Sequence, residues 1–188
     1  MLDKKMLKTY GKEGSILGIH PERELLNEIE FSSGSLGHGL SFSIGLALGL
    51  LKLEETNKVY CLIGDGESQE GTVWESALFA AQHDISNIVA ITDYNKKQSS
   101  GLVKNILNLH DLSEKWEAFG WHTVEVDGHS FEELINELYH TDHIQKKPKM
   151  IIANTIKGKG VSFLENRDEC HFDRLTDNEI NIAKMELF

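Results

Sequence analysis

The chain predicts an α/β fold, a mostly parallel sheet with helices on both faces, and three observations carry that prediction. Short apolar runs of strand length recur at 59–63, 88–92, 122–126 and 150–154. Segments with helical character lie near 70–83, 110–119 and 130–140, so strands and helices alternate without an internal linker. Glycine, acid and amide residues follow the first two runs, at the ends where a parallel sheet gathers its ligand groups.

In order along the chain, Leu40 to Leu53 is expected as an apolar helix. Small residues at Ser43, Gly45, Ala47 and Gly49 permit close packing there. Val59-Tyr60-Cys61-Leu62-Ile63 reads as a buried strand that ends at Gly64-Asp65-Gly66, and Glu70 to Gln82 reads as the helix that follows. Ile88-Val89-Ala90-Ile91 is the next strand and ends at Asp93 and Asn95. The strands and helices of the second half follow the same alternation. Thr176-Asp177-Asn178-Glu179 has the spacing of a capping box and opens a last helix.

Composition bounds the function. The 188 residues, 40% hydrophobic and 26% charged, describe one domain over 1–188, large enough to bury a core. A net charge of −11 argues against a general nucleic-acid or anionic-membrane surface, which would repel it. No run of about 18 apolar residues is present, and the N-terminal MLDKKMLKTYGKEGS lacks a signal-peptide core. Cys61 and Cys170 are the two cysteines, one of them inside an expected strand, which fits a reducing cytoplasm rather than a disulfide framework.

The motif with chemical content is Gly64-Asp65-Gly66, with Asn95 thirty positions after Asp65. The glycines let backbone N–H groups approach an anion at a helix N-terminus, and Asp65 offers a hard oxygen to a divalent cation. Asn95 brings an amide oxygen to the same sheet edge, so two strand ends converge on one ion. Mg²⁺ or Ca²⁺ wants about six oxygens or more, most of them from phosphate and water. Neither a GxGxxG nor a P-loop pattern is present. GDG followed by an Asn resembles the thiamine diphosphate signature.

A wider set of motifs extends the resemblance. His20-Pro21-Glu22, Ser33-Gly34-Ser35-Leu36-Gly37-His38-Gly39-Leu40, Gly64-Asp65-Gly66-Glu67-Ser68-Gln69-Glu70-Gly71 and Trp74-Glu75 occur in transketolase order. Phe119-Gly120-Trp121-His122, Val126-Asp127-Gly128-His129 and Lys157-Gly158-Lys159-Gly160-Val161-Ser162-Phe163 continue it over nearly the whole chain. The sequence resembles the N-terminal, diphosphate-binding (PP-type) half of the transketolase family, as found in enzymes whose halves are separate polypeptides.

The resemblance implies thiamine diphosphate with Mg²⁺ or Ca²⁺, and it implies roles for residues. Asp65, Asn95 and the carbonyl of Lys97 are the expected metal ligands. Gly64, Gly66, Glu67, Ile156 and His171 are expected at the cofactor, and Gly34 and Leu36 at its aminopyrimidine. His20 is expected beside the reacting carbon and the donor sugar, where an imidazole can hold and carry a proton. A His before Pro in a loop is also a common surface residue. Glu70 and Glu75, five apart, do not share a helix face as an i, i+4 pair would. Their positions match carboxylates buried between two active sites at the transketolase dimer interface, and with His171 they complete the catalytic set.

Departures from the family pattern shape the partner expectation. Two further family histidines lie upstream of the His-Pro-Glu segment, so Met1 is expected to open inside the family domain. Lys97 and Ser99 stand where the common pattern has apolar residues. The glutamate that activates the cofactor's pyrimidine belongs to the other half of the enzyme. The expected function is therefore a subunit of a two-carbon ketol or aldehyde transferase, active with a C-terminal pyrimidine-binding partner in a dimer or heterotetramer and acting on a sugar or sugar phosphate. The competing readings are a half of a 2-oxo acid dehydrogenase E1-like enzyme and a noncatalytic remnant or assembly subunit.

Overall fold

The computed structural model describes residues 3–139, 146–165, 167, 171 and 174–188. His140, which ends one expected helix, and Cys170 lie outside those residues. The elements are α1 (His38–Lys52), β1 (Val59–Gly64), α2 (Gly71–Gln82), β2 (Ile88–Tyr94), β3 (Lys97–Gln98), β4 (Gly101–Leu102), α3 (Val103–Ile106) and α4 (Leu112–Ala118). After them come β5 (His122–Asp127), α5 (Phe131–Tyr139), β6 (Lys149–Asn154), α6 (Ser162–Glu165) and α7 (Asp177–Leu187).

Four strands form one parallel sheet in the order β1-β2-β6-β5, and β3 pairs with β4 in an antiparallel hairpin. The central strands β2 and β6 are apolar on both faces because helices cover both. On one side Leu40, Ile44 and Ala47 of α1, Val73, Ala77 and Ala80 of α2, and Leu112 and Trp116 of α4 pack on Val59, Cys61, Ile63, Ile88, Ala90, Met150 and Ile152. Their spacing at three and four residues gives each helix one apolar stripe. On the other side Leu134 and Leu138 of α5 meet Val89, Val126, Ile151 and Ala153.

Trp116 anchors the larger layer. Its ring lies 5.0 Å from Trp74 and 4.9 Å from Trp121, and Trp121 Nε1 donates to Ala77 O at 3.0 Å. Caps fix helix starts, and the one on α7 is the capping box that the sequence predicts. Asp111 accepts from Glu114 N–H at 2.9 Å ahead of α4, and Thr176 and Glu179 close a reciprocal capping box on α7.

Three expectations are corrected. β1 is an edge strand, not a buried one: Val59, Cys61 and Ile63 are inside, while Tyr60 and Leu62 are 52% and 71% exposed. No helix of the described chain covers its second face, so the apolar run becomes an alternating one. On α1, Ser43 and Ala47 are buried but Gly45 and Gly49 face outward with nothing within 4 Å of a β-carbon, so close packing falls to half of the small residues. The helix expected from 110 begins at Leu112, since Asp111 is its cap and His110 has a left-handed backbone at φ +52°.

Candidate functional site

The carboxyl ends of β1 and β2 lie side by side, Gly64 opposite Asp93, and the chain leaves each strand through a tight polar turn. Asp65 is buried at 2% exposure, with Oδ1 accepting from Gly66 N–H at 2.7 Å and Oδ2 accepting from Lys96 N–H. Asn95 Oδ1 accepts from Lys97 N–H at 2.9 Å. Lys96, between them, holds a left-handed backbone at φ +67°, and the turn is bound to Asp65. The two expected side-chain ligands are thus stitched into one turn pair. Burial pushes the Asp65 carboxyl above its usual range, an effect countered in part by the N–H groups of Lys96 and Gly66.

These turns wall a cleft of about 440 Å³ that Leu36, Gly64, Asp65, Gly66, Glu67, Glu70, Asn95, Lys97 and His171 line, with Gln98, Ser99 and Lys157. His171, exposed at the cleft mouth, is held below the usual imidazole range by partial desolvation and by the Lys157 ammonium. The Lys97 side chain reaches away from Asp65, its Nζ donating to the carbonyls of Glu165 at 3.2 Å and Arg167 at 3.0 Å, so its part in the expected ligand set is confined to its backbone carbonyl.

A second cleft of about 570 Å³ adjoins the first and shares Leu36 and Glu67 with it. His20 and Gly34 line this one. The expected site residues are therefore divided between two connected spaces, with Leu36 and Glu67 at the boundary. Two expected residues line neither. Ile156 gives its N–H to His129 Nε2 at 2.9 Å, and Glu75 is exposed on α2. Glu70 lines the first cleft but is exposed.

The first cleft suits a metal diphosphate on its own chemistry. Asp65 carries a buried carboxylate whose oxygens accept only backbone N–H groups among the described residues, and each keeps a lone pair. A divalent cation there would relieve the cost of burial. Gln98 Oε1 is buried without a partner, and Gln98 packs over Gly66, where a β-carbon would lie 2.9 Å from Gln98 Cβ. A donor on a bound group would satisfy that oxygen.

Sequence reasoning passed over Gln98 and Lys157, which line the first cleft, and His129, which holds the Ile156 N–H. Each stands within or beside a quoted motif at a strand end, which was the signal available. It also missed the Asp93 carboxylate accepting from Thr155 Oγ1, a bond that ties the loop after β6 to the end of β2.

Residues 2–187 match the family described as transketolase, thiamine diphosphate binding domain. The chain belongs to the transketolase family. It is 40% identical over 183 residues to the 6-deoxy-6-sulfo-D-fructose transketolase subunit SqwG of Clostridium sp. (strain MSTE9), an alignment covering 97% of this chain and 66% of the relative. It is 38% identical over 186 residues to an apulose-4-phosphate transketolase subunit of Phocaeicola vulgatus, covering 99% of this chain and 66% of that one. The chain thus spans just under two thirds of the length of these relatives. A transketolase structure from Campylobacter jejuni superposes with a TM-score of 0.89 at 31% identity, over 97% of this chain and 29% of the other. The fold is the α/β thiamine diphosphate-binding fold, and the similarity favours transketolases over E1-like halves.

Proposed function

We propose that this chain is the diphosphate-binding, N-terminal part of a split transketolase-like enzyme that transfers a two-carbon ketol or aldehyde unit between carbonyl substrates. The observation that carries this reading is the convergence of the Asp65 carboxylate and the Asn95 amide on one cleft at adjacent parallel strand ends. Residues 1–188 act as one domain on this reading, in the cytoplasm. Thiamine diphosphate, when bound, supplies the carbon nucleophile.

The chain's own residues bind, orient and move protons. Asp65, Asn95 and the Lys97 carbonyl hold Mg²⁺ or Ca²⁺, and Gly64, Gly66 and His171 hold the diphosphate end, whereas the Ile156 N–H stays with His129. Gly34 and Leu36 face the aminopyrimidine. His20, in the adjoining cleft, holds and transfers a proton at the substrate's hydroxyl or carbonyl. The substrate is a sugar or sugar phosphate, in keeping with the relatives' names.

The partner is a pyrimidine-binding chain, and the assembly is a dimer or heterotetramer. Glu75, Leu78 and Phe79 share an exposed face of α2, with Leu78 and Phe79 57% and 43% exposed, and this face is the self-association surface. The test is cofactor titration and two-carbon transfer with and without the partner half. Metal-dependent thiamine diphosphate binding, with transfer only in the assembled enzyme, supports the reading. Assembly without cofactor binding would make the chain a noncatalytic component, and turnover by the chain alone would refute the half-site arrangement.

A further inference from the structure

Glu67 follows the Gly64-Asp65-Gly66 turn, and its carboxylate joins two separate loops. Oε1 accepts from Gly37 N–H at 2.8 Å and Oε2 accepts from Gly64 N–H at 3.0 Å. Gly37 closes the loop that contains Gly34 and Leu36, whereas Gly64 ends β1 at the diphosphate turn. Glu67 lines both clefts and therefore stands in the wall between them.

Two N–H donors arriving from different loops select one kind of side chain. A carboxylate accepts through both oxygens and donates nothing, whereas a glutamine of the same shape turns an NH₂ group toward one of the donors. The Gly37 end has little freedom to adjust. Its backbone is left-handed at φ +82°, and a β-carbon there would lie 2.3 Å from Thr72 Oγ1.

We propose that Glu67 is a positioning residue and not a cofactor ligand: by bridging Gly37 and Gly64 it fixes the separation between the aminopyrimidine-side loop and the diphosphate turn. The proposal rests on the cofactor reading above for what the two clefts hold. The bridge itself does not depend on that reading.

The test compares two probes in the full chain, assembled with its partner half. Thiamine diphosphate spans both clefts, and inorganic pyrophosphate with Mg²⁺ occupies only the first. Glu67→Gln is expected to weaken thiamine diphosphate by about 10-fold or more, the worth of one unsatisfied donor, while pyrophosphate affinity stays within about 3-fold. Glu67→Asp, too short to reach both donors, should give the same split, which guards against a folding defect peculiar to one variant. Amide exchange in the ligand-free chain should quicken at Gly37 and Gly64 in both variants. Unchanged thiamine diphosphate affinity, or equal loss for both probes, would overturn the proposal. Should the wild-type assembly bind neither probe, the cofactor reading fails, and the exchange rates at Gly37 and Gly64 alone uphold or remove the bridge.

Discussion

The imidazole of His20 lies directly against Gly34, so that a β-carbon at position 34 would sit 2.6 Å from the ring Cγ and 2.8 Å from Cδ2 and Nδ1. Gly34 also has φ +124°, outside the range of ordinary side-chain-bearing residues. The glycine loop thus determines where the imidazole can be. His20→Ala is expected to lower turnover about 10²-fold or more while thiamine diphosphate affinity in the assembled enzyme stays nearly intact. Gly34→Ala should lower turnover as well, and less so in the His20→Ala background, where only backbone strain remains. Paired affinity and rate measurements on the double-mutant cycle check both. Loss of affinity with a normal rate at saturating cofactor would make His20 a structural loop residue.

Asp65 yields a metal prediction. Asp65→Ala should weaken thiamine diphosphate by at least about 10²-fold and abolish its dependence on Mg²⁺ or Ca²⁺. It also strips the Gly66 and Lys96 N–H groups of their acceptor, so unfolding stability should fall by about 1–3 kcal/mol. Asp65→Asn keeps the shape and one of the two N–H acceptors, so its stability loss should be smaller than that of Asp65→Ala while the metal dependence is still lost. Calorimetry with and without chelator decides the metal role, since binding unchanged by either treatment contradicts it.

At the opposite end of the sheet, Lys149 opens β6 at 2% exposure, and its Nζ donates to both Glu137 O and Glu137 Oε2 at 2.7 Å. The bond to Lys149 holds the Glu137 carboxyl below its usual range. Lys149→Met retains the stem but removes the donor. We expect a loss of about 1.5–3 kcal/mol in urea unfolding, with cofactor affinity unaffected, because this contact pins α5, lies far from the strand ends that form the first cleft and is separated from the second by β2.

The α7 cap should be pH-sensitive in a defined direction. Bonds from the Thr176 backbone, Arg167 and the Thr176 hydroxyl pull the Glu179 carboxyl down to about 2 from 4.5. Because the folded value lies below the unfolded one, the stabilisation is fully present above the unfolded value and is lost as pH falls through the folded one. The melting-temperature difference between the wild type and Glu179→Gln should therefore be present at pH 6 and close as the pH approaches about 2. A difference independent of pH would show that the cap does not act through this carboxylate.

Much of this architecture is legible in the chain because strands, caps and stripes are local. Thr176 and Glu179 announce their helix three residues apart, and the four sheet strands follow from apolar runs. What the chain conceals is pairing over distance. Glu67 looks like one more polar residue of a glycine turn until Gly37, thirty positions away, is seen on its carboxylate. Lys149 looks like a strand boundary because nothing local shows Glu137 waiting for it. The two-residue strands at 97–98 and 101–102 are too short to show a period. β1 reads as buried because composition alone cannot tell a covered face from an uncovered one.

The sheet order also governs how the chain reaches its fold during synthesis. β6, the last of the four sheet strands in chain order, is the strand to which both β2 and β5 pair. A nascent chain that has emerged only through β5 can join β1 to β2, but β5 has no neighbour and both turns of the first cleft rest on an unfinished scaffold. Closure waits for residues 149–154 and is non-local, which makes folding slow and leaves apolar strand edges open in the interim. Ribosome-released fragments that end before Asn154 should accordingly be substrates for chaperones and proteases rather than smaller versions of the domain.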